Sequence, residues 1–196
     1  MASLLRNYEH ARGRNVREAF AIWLTGLPAS GKSAIAGVLK TRLADVGLAV
    51  EVLESDAVRT LVTPSPTYSL DERSLFYRAL AFFGSRLVAH GVPVIFDATA
   101  NRRAYRDLAR ALIPNFIEVA VMCPLEVCRR RDPKGIYRRG ESDRSATVPG
   151  LQESYEPPLD PEVVVDTTST SPGAAAAKIM EALYAKGYLT AARSVR

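Results

Sequence analysis

The chain is poor in the side chains on which metal and thiol chemistry depend: its 196 residues include two histidines, two cysteines and one tryptophan. Cys123 and Cys128 have no companion pair, which excludes a structural zinc site and a disulfide-stapled scaffold and leaves them as small buried hydrophobes in a reducing compartment. His10 falls in a charged leader and His90 precedes Gly91 where a helix stops, so histidine-based catalysis is not expected. No apolar run approaches the roughly eighteen residues that span a bilayer, so no membrane partner is expected. The N-terminal segment scatters its charge and has no uninterrupted apolar h-region, so it does not read as a secretory signal, and the expected location is cytoplasmic.

What is present describes one soluble domain. Hydrophobic residues make up 47% and charged residues 24% of the chain, which is too apolar for disorder, while its length leaves little room for two cores. The formal charge of +5 is carried mostly by arginine, whose planar fork suits phosphate or sulfate, so a small anionic substrate is expected. Nucleic acid is a poorer match, because the arginines are scattered and not interleaved with aromatic residues.

Residues 1–18 read as a polar arm, 19–187 as the domain and 188–196 as a tail. Short apolar runs at Ala21–Leu24, Leu48–Leu53, Val92–Phe96, Phe116–Met122 and Val163–Val165 alternate with segments of helical spacing. The helices are expected at Ser33–Val46, from a capping box at Ser69-Leu70-Asp71-Glu72 onward, at Arg102–Leu112, from Pro124 to Arg131, and at Pro172–Lys186. Strands apolar on both faces that alternate with helices predict an α/β chain, a three-layer α/β/α sandwich around a five-stranded, mainly parallel sheet. Asp132 to Pro161 is too polar for core and too long for a connector, and reads as an irregular lid whose return path Tyr155-Glu156-Pro157-Pro158 stiffens.

Gly26-Leu27-Pro28-Ala29-Ser30-Gly31-Lys32-Ser33 matches the phosphate-binding pattern G-x-x-x-x-G-K-S/T without a substitution, between a strand and a helix as that loop requires. Its glycines let backbone N–H groups turn around a phosphate, Lys32 reaches the outer phosphates, and the Ser33 hydroxyl is offered to magnesium, so ATP and Mg2+ are the expected cofactors. The ATP site is read as Gly26 to Ala34 together with Arg131, the last of the arginines Arg129-Arg130-Arg131 where the lid begins. Asp56 lies just past a strand end, the place where open α/β sheets bind ligands. It either organises magnesium through water or accepts the proton of an attacking hydroxyl, the plainer alternative being a cap on the short helix after it, and Arg59 follows one helical turn later. At the next corner Asp97 faces either metal or a substrate hydroxyl, while Thr99 or Asn101 is placed to cap the following helix.

Together with that loop, Phe116-Ile117-Glu118-Val119, Cys123-Pro124-Leu125-Glu126-Val127-Cys128, Arg131-Asp132-Pro133-Lys134-Gly135-Ile136-Tyr137, Tyr155-Glu156-Pro157 and Pro161 to Thr167 resemble successive signatures of the adenylylsulfate kinases. The resemblance spans about Phe20 to Thr167. It implies a P-loop kinase that phosphorylates the 3′-hydroxyl of adenosine 5′-phosphosulfate, and a homodimer. It also implies Lys32 and Asp56 as catalytic residues, Arg59 and Arg73 as substrate-anion contacts, Lys134 as a lid cation, Tyr68 as a ring stacked on the substrate's adenine, and Arg78 as a further substrate residue.

The departures from the family pattern cluster on the acceptor side. Asp-Gly-Asp-Asn becomes Glu54-Ser55-Asp56-Ala57, the asparagine before the paired arginines becomes Phe76, and the second arginine becomes Ala79. An Ile-Ser-Pro corner becomes Asp97-Ala98-Thr99, and the Phe-Thr-Gly of the lid becomes Val148-Pro149-Gly150. These changes keep open an acceptor other than adenosine 5′-phosphosulfate: a nucleotide-linked metabolite, a sugar or a 5′-hydroxyl polynucleotide end.

Overall fold

Five short strands, all running the same way, carry every other element of the computed structural model, which describes residues 18–143 and 146–190. The expected N-terminal arm, apart from Glu18, and most of the tail lie outside those residues. The strands are β1 (Ala21–Thr25), β2 (Glu51–Glu54), β3 (Val94–Asp97), β4 (Phe116–Met122) and β5 (Val163–Asp166), in the order β2-β3-β1-β4-β5. Every pairing is parallel, with Ala21 opposite both Val94 and Phe116. The sheet is therefore wholly parallel, and all its strand C-termini open toward one end.

The period of two along a strand divides the core. Ile22 and Leu24 of the central strand, with Phe20 just before it, face α1 (Lys32–Asp45) and α7 (Pro172–Ala185), joining Leu39, Leu43, Ile179 and Leu183. Ala21 and Trp23 face α3 (Leu70–Ala89) and α4 (Arg103–Leu112), joining Phe76, Leu80, Phe96 and Ala109. These are the three expected layers. Tyr188 and Leu189, assigned by sequence to the tail, belong to the first core: Leu189 is buried there and Tyr188 stacks on Phe20 at 5.9 Å.

Among the described residues three shorter helices complete the set: α2 (Ser55–Val62), α5 (Leu125–Arg131) and α6 (Ile136–Ser142). The last corrects the expectation of an irregular lid. Asp132 ends α5 and accepts hydrogen bonds from the N–H groups of Ile136 (2.7 Å), Tyr137 and Arg138 (3.1 Å each), so one carboxylate satisfies the donors that open α6. Asp-Pro-Lys-Gly reads as a turn, and seven residues are too few to display a helical period.

The return of the lid is held from inside the domain by Arg106, a fully buried residue that the sequence reading did not single out. Its guanidinium donates to Glu118 on β4 (2.6 Å), to the carbonyl of Ala100, and to the carbonyl of Glu156 (2.7 Å). Glu156 in turn donates its N–H to Asn101 and accepts from the N–H of Arg103.

Two glycines test the packing. A Cβ on Gly84 of α3 would lie 2.1 Å from the Phe96 ring, whereas one on Gly37 of α1 would meet nothing within 4 Å. Gly84→Ala is expected to destabilise by about 1–3 kcal/mol through overpacking. Gly37→Ala is expected to stabilise by roughly 0.5–1 kcal/mol through helix propensity. Urea denaturation checks both, and equal midpoints would refute this packing of α3 on β3.

Candidate active site

The phosphate loop leaves β1 at Gly26, where a Cβ would lie 2.4 Å from the carbonyl oxygen of Val121 on β4. Only glycine fits that approach, so the loop is seated directly on the sheet. Gly31 (φ 103°) turns the chain into α1, which begins at Lys32 and aims its N-terminus into the loop. The Lys32 ammonium is buried and donates to the carbonyls of Gly26 (3.0 Å) and Leu27 (2.8 Å). Burial pushes its pKa down, and the charge of Asp97 opposes that shift.

Asp97 ends β3 beside the loop, buried, with Ser33 and Lys32 as its electrostatic neighbours. Burial raises its pKa above the usual carboxylate range, while the neighbouring Ser33 hydroxyl and the Lys32 charge pull the other way. A hydroxyl and a desolvated carboxylate side by side are hard oxygen donors of the kind that suit magnesium. Among the described residues no group of three or more acidic, histidine or cysteine side chains gathers to cage a metal. A cation here would therefore complete its shell from phosphate and water.

A cavity of about 1070 Å³ opens over this floor. Pro28, Ala29, Gly31, Lys32, Ser33 and Ala34 line one side, and Asp56, Arg59, Tyr68, Arg73 and Asp97 the other, with Arg131 and Lys134 closing it from the lid. Gly26, Leu27 and Ser30 are in the loop but not on its lining. Arg78 is not brought in: it stays exposed on α3, because five residues rotate it about 140° away from Arg73.

The sequence reading is corrected at several of these positions. Asp56 is no helix cap; Glu54 holds the N-cap position and Asp56 sits in the first turn of α2. Its carboxylate accepts a 2.6 Å hydrogen bond from Lys134, which also donates to Glu54 at 2.9 Å. Burial lowers the pKa of Lys134, but these bonds to Asp56 and Glu54 outweigh it and carry the pKa up. Neither Thr99 nor Asn101 caps α4, whose N-cap is Arg102; the Thr99 carbonyl accepts from Thr25, and Asn101 donates to the Ser154 carbonyl.

The two expected anion contacts are engaged with protein groups. Arg59 is buried, pairs with Glu72 at 2.7 Å and lies over the rings of Phe76 and Tyr68. Arg73 donates to the Tyr68 carbonyl (2.9 Å) and to the Thr147 hydroxyl (2.8 Å), joining α3 to the lid.

The lid hangs from the phosphate loop itself. Tyr137 of α6 is buried and donates its hydroxyl to the Pro28 carbonyl at 3.1 Å, packed with Cys123, Cys128, Leu27 and Val148. Arg131 donates to the hydroxyl and carbonyl of Thr167, whose hydroxyl reaches the Ser30 carbonyl at 2.8 Å. Tyr137 and Thr167 carry no role that the sequence shows, and Glu72 only that of closing a capping box, since each acts on a partner far along the chain or on a backbone atom. Among the described residues three non-glycines have positive φ, Ala29, Tyr68 and Ala100; the first two line the cavity and the third follows its Asp97–Thr99 corner.

Asp132→Ala strips the donors of α6 of their acceptor and is expected to cost about 1–3 kcal/mol in urea denaturation, with faster tryptic cleavage at Arg138 and Arg139. Burial raises the Asp132 pKa, but the backbone bonds outweigh it and hold the carboxyl below its usual range. Its stabilisation is therefore present above the unfolded pKa and lost as pH falls through the folded one. Wild-type lid protection should accordingly decline in acid while that of the variant stays flat; parallel pH profiles would contradict the cap.

The family described as Adenylylsulphate kinase matches residues 18–166. The adenylyl-sulfate kinase of Rippkaea orientalis is 37% identical over 173 residues, covering 88% of this chain and 96% of that protein. The probable adenylyl-sulfate kinase of Archaeoglobus fulgidus is 39% identical over 149 residues, covering 76% of this chain and 96% of its own. Among solved structures, the Mycobacterium tuberculosis APS kinase in complex with AMPPNP and APS superposes with a TM-score of 0.80 at 28% identity, over 85% of this chain and 98% of that one.

Proposed function

The chain belongs to the adenylylsulphate kinase family, and we infer that it transfers the γ-phosphate of ATP to the 3′-hydroxyl of adenosine 5′-phosphosulfate, giving 3′-phosphoadenosine 5′-phosphosulfate and ADP. The observation that carries this reading is the convergence of an intact phosphate loop, the carboxylate of Asp56 and the lid cation Lys134 on one cavity.

In this reading the loop N–H groups hold the β- and γ-phosphates, and Lys32 exchanges the carbonyls of Gly26 and Leu27 for phosphate oxygens. Asp56 accepts the proton of the 3′-hydroxyl as its oxygen bonds to the γ-phosphorus and the bond to the β-phosphate oxygen breaks. Lys134 then has a second task, because it must leave Asp56 for phosphate before that carboxylate can act as a base. Ser33 and Asp97 would hold magnesium, which would supply neutralisation of phosphate charge when bound. Tyr68 offers its ring to the acceptor's adenine, with Arg73 beside it, and Arg131 stands at the ATP end. The reading carries a cytoplasmic location, which suits two free buried thiols, and a homodimer, as the resemblance implies.

Two observations favour a second reading, a different hydroxyl acceptor: Arg78 lies outside the cavity, and Phe76 stacks under Arg59 where the family has an asparagine. ADP release separates the two readings when adenosine 5′-phosphosulfate is compared with nucleotides, sugars and 5′-hydroxyl oligonucleotides. Turnover confined to adenosine 5′-phosphosulfate is expected, and silence with it alone would overturn the first reading.

Lys32→Ala is expected to abolish transfer. Asp56→Asn should leave ATP affinity within about twofold while lowering kcat by roughly 10²–10⁴, the usual contribution of a positioned general base. Turnover equal to wild type in Asp56→Asn would remove the proposed base.

A further inference from the structure

Tyr68 stands at the cavity rim, 42% exposed, with a φ of 54°. A bulky residue in the left-handed region costs on the order of 1–2 kcal/mol, so neighbouring contacts must over-determine it. Glu72, one turn into α3, supplies most of them. Its Oε2 accepts from the Tyr68 N–H (3.0 Å), the Thr67 hydroxyl (2.7 Å) and the Thr67 N–H, and its Oε1 accepts from Arg59 at 2.7 Å. Arg73 completes the grip by donating to the Tyr68 carbonyl. The Arg59 guanidinium is thereby held with its carbon 3.8 Å from the Phe76 ring centroid and 5.0 Å from that of Tyr68.

This is more than helix capping. In a capping box the glutamate reaches back to the N–H of the N-cap residue. Here Ser69 caps as expected, accepting from the Glu72 N–H, but the Ser69 N–H turns to the Thr67 hydroxyl instead. Both Glu72 oxygens are thus available to Tyr68, Thr67 and Arg59. None of these contacts involves the phosphate loop, so the clamp shapes the acceptor side of the cavity alone.

We propose that Glu72 is a positioning residue for the phosphoryl acceptor, presenting the Tyr68 ring and the Arg59 guanidinium as one preassembled wall of the acceptor pocket through its two carboxylate oxygens. The proposal rests on the kinase reading above. Preassembly lowers the ordering cost at binding, so its loss falls on KM for the acceptor and spares the transfer step.

Steady-state kinetics on the purified chain tests this, using whichever acceptor the wild type turns over. Glu72→Gln keeps volume and helix propensity but sets an amide against several donors. It is expected to raise KM for the acceptor roughly tenfold, as loss of charge-assisted hydrogen bonds does, with kcat and KM for ATP within about threefold. Tyr68→Ala should raise the acceptor KM comparably. The double variant should raise the acceptor KM by less than the product of the two single effects, because Glu72 acts in part through Tyr68 and in part through Arg59. An unchanged acceptor KM, fully additive effects, or an equal rise in KM for ATP would overturn the clamp, the last by revealing a merely structural role. Glu72→Asp, with the charge retained, should recover part of the loss, and no recovery would also count against it. A wild type silent with adenosine 5′-phosphosulfate but active with another acceptor would defeat the substrate reading and leave the clamp to be judged on that acceptor. No turnover with any acceptor would defeat both.

Discussion

The contact on which the rest of the site depends is the approach of the Gly26 backbone to the Val121 carbonyl. A Cβ there would stand 2.4 Å from backbone oxygen, and backbone in a central parallel strand has no freedom to yield. The loop is consequently fixed to the sheet, and other parts of the site are fixed to the loop. The lid is attached through Tyr137 and Pro28, the segment after β5 through Thr167 and Ser30, and Lys32 through the loop's own carbonyls. A wholly parallel sheet brings the strand-end acids Glu54 and Asp97, and Asp56 just beyond, to the same end as this loop.

Charge is arranged around that frame so that the buried ionic groups at the site have close partners. Burying Lys32, Arg59, Asp97 and Arg106 carries a desolvation cost that only close partners offset. Asp97 and the loop carbonyls serve Lys32, Glu72 serves Arg59, and Glu118 serves Arg106. The same economy reaches the lid, where Lys134 rests on Asp56 and Glu54. In the proposed mechanism substrate binding is therefore an exchange of partners: phosphate oxygens replace protein oxygens around Lys32 and Lys134, and the groups they release include the base. Buried ion pairs of this kind hold geometry more than they add stability.

The fold was legible in the sequence because its signals are local. Apolar runs marked the strands, Ser69 to Glu72 marked the start of α3, and Pro172 marked the start of α7, each readable within a few residues. Legibility failed where local and distant demands differ. Asp-Pro-Lys-Gly looks like a turn, and it is the carboxylate of Asp132 folding back onto later N–H groups that makes a helix follow. Leu189 looks like a tail until the first core is assembled around it. Arg78 resembles a substrate arginine in the linear motif, and the rotation of α3 turns it to solvent.

What the sequence determined by itself is the chemistry on offer: a glycine loop that turns around phosphate, a lysine and a serine at a helix start, and acids at strand ends. Those properties belong to residues within a turn or two of one another, where backbone geometry alone sets the neighbours. Tertiary structure decided how the charged side chains are shared. Lys134 meets Asp56 across 78 positions, Arg106 meets the Glu156 carbonyl across 50, and Arg59 stacks on a phenylalanine from another helix. Such pairings depend on how helices settle on the sheet, because a charge of either sign satisfies its desolvation with whichever opposite group the packing brings near.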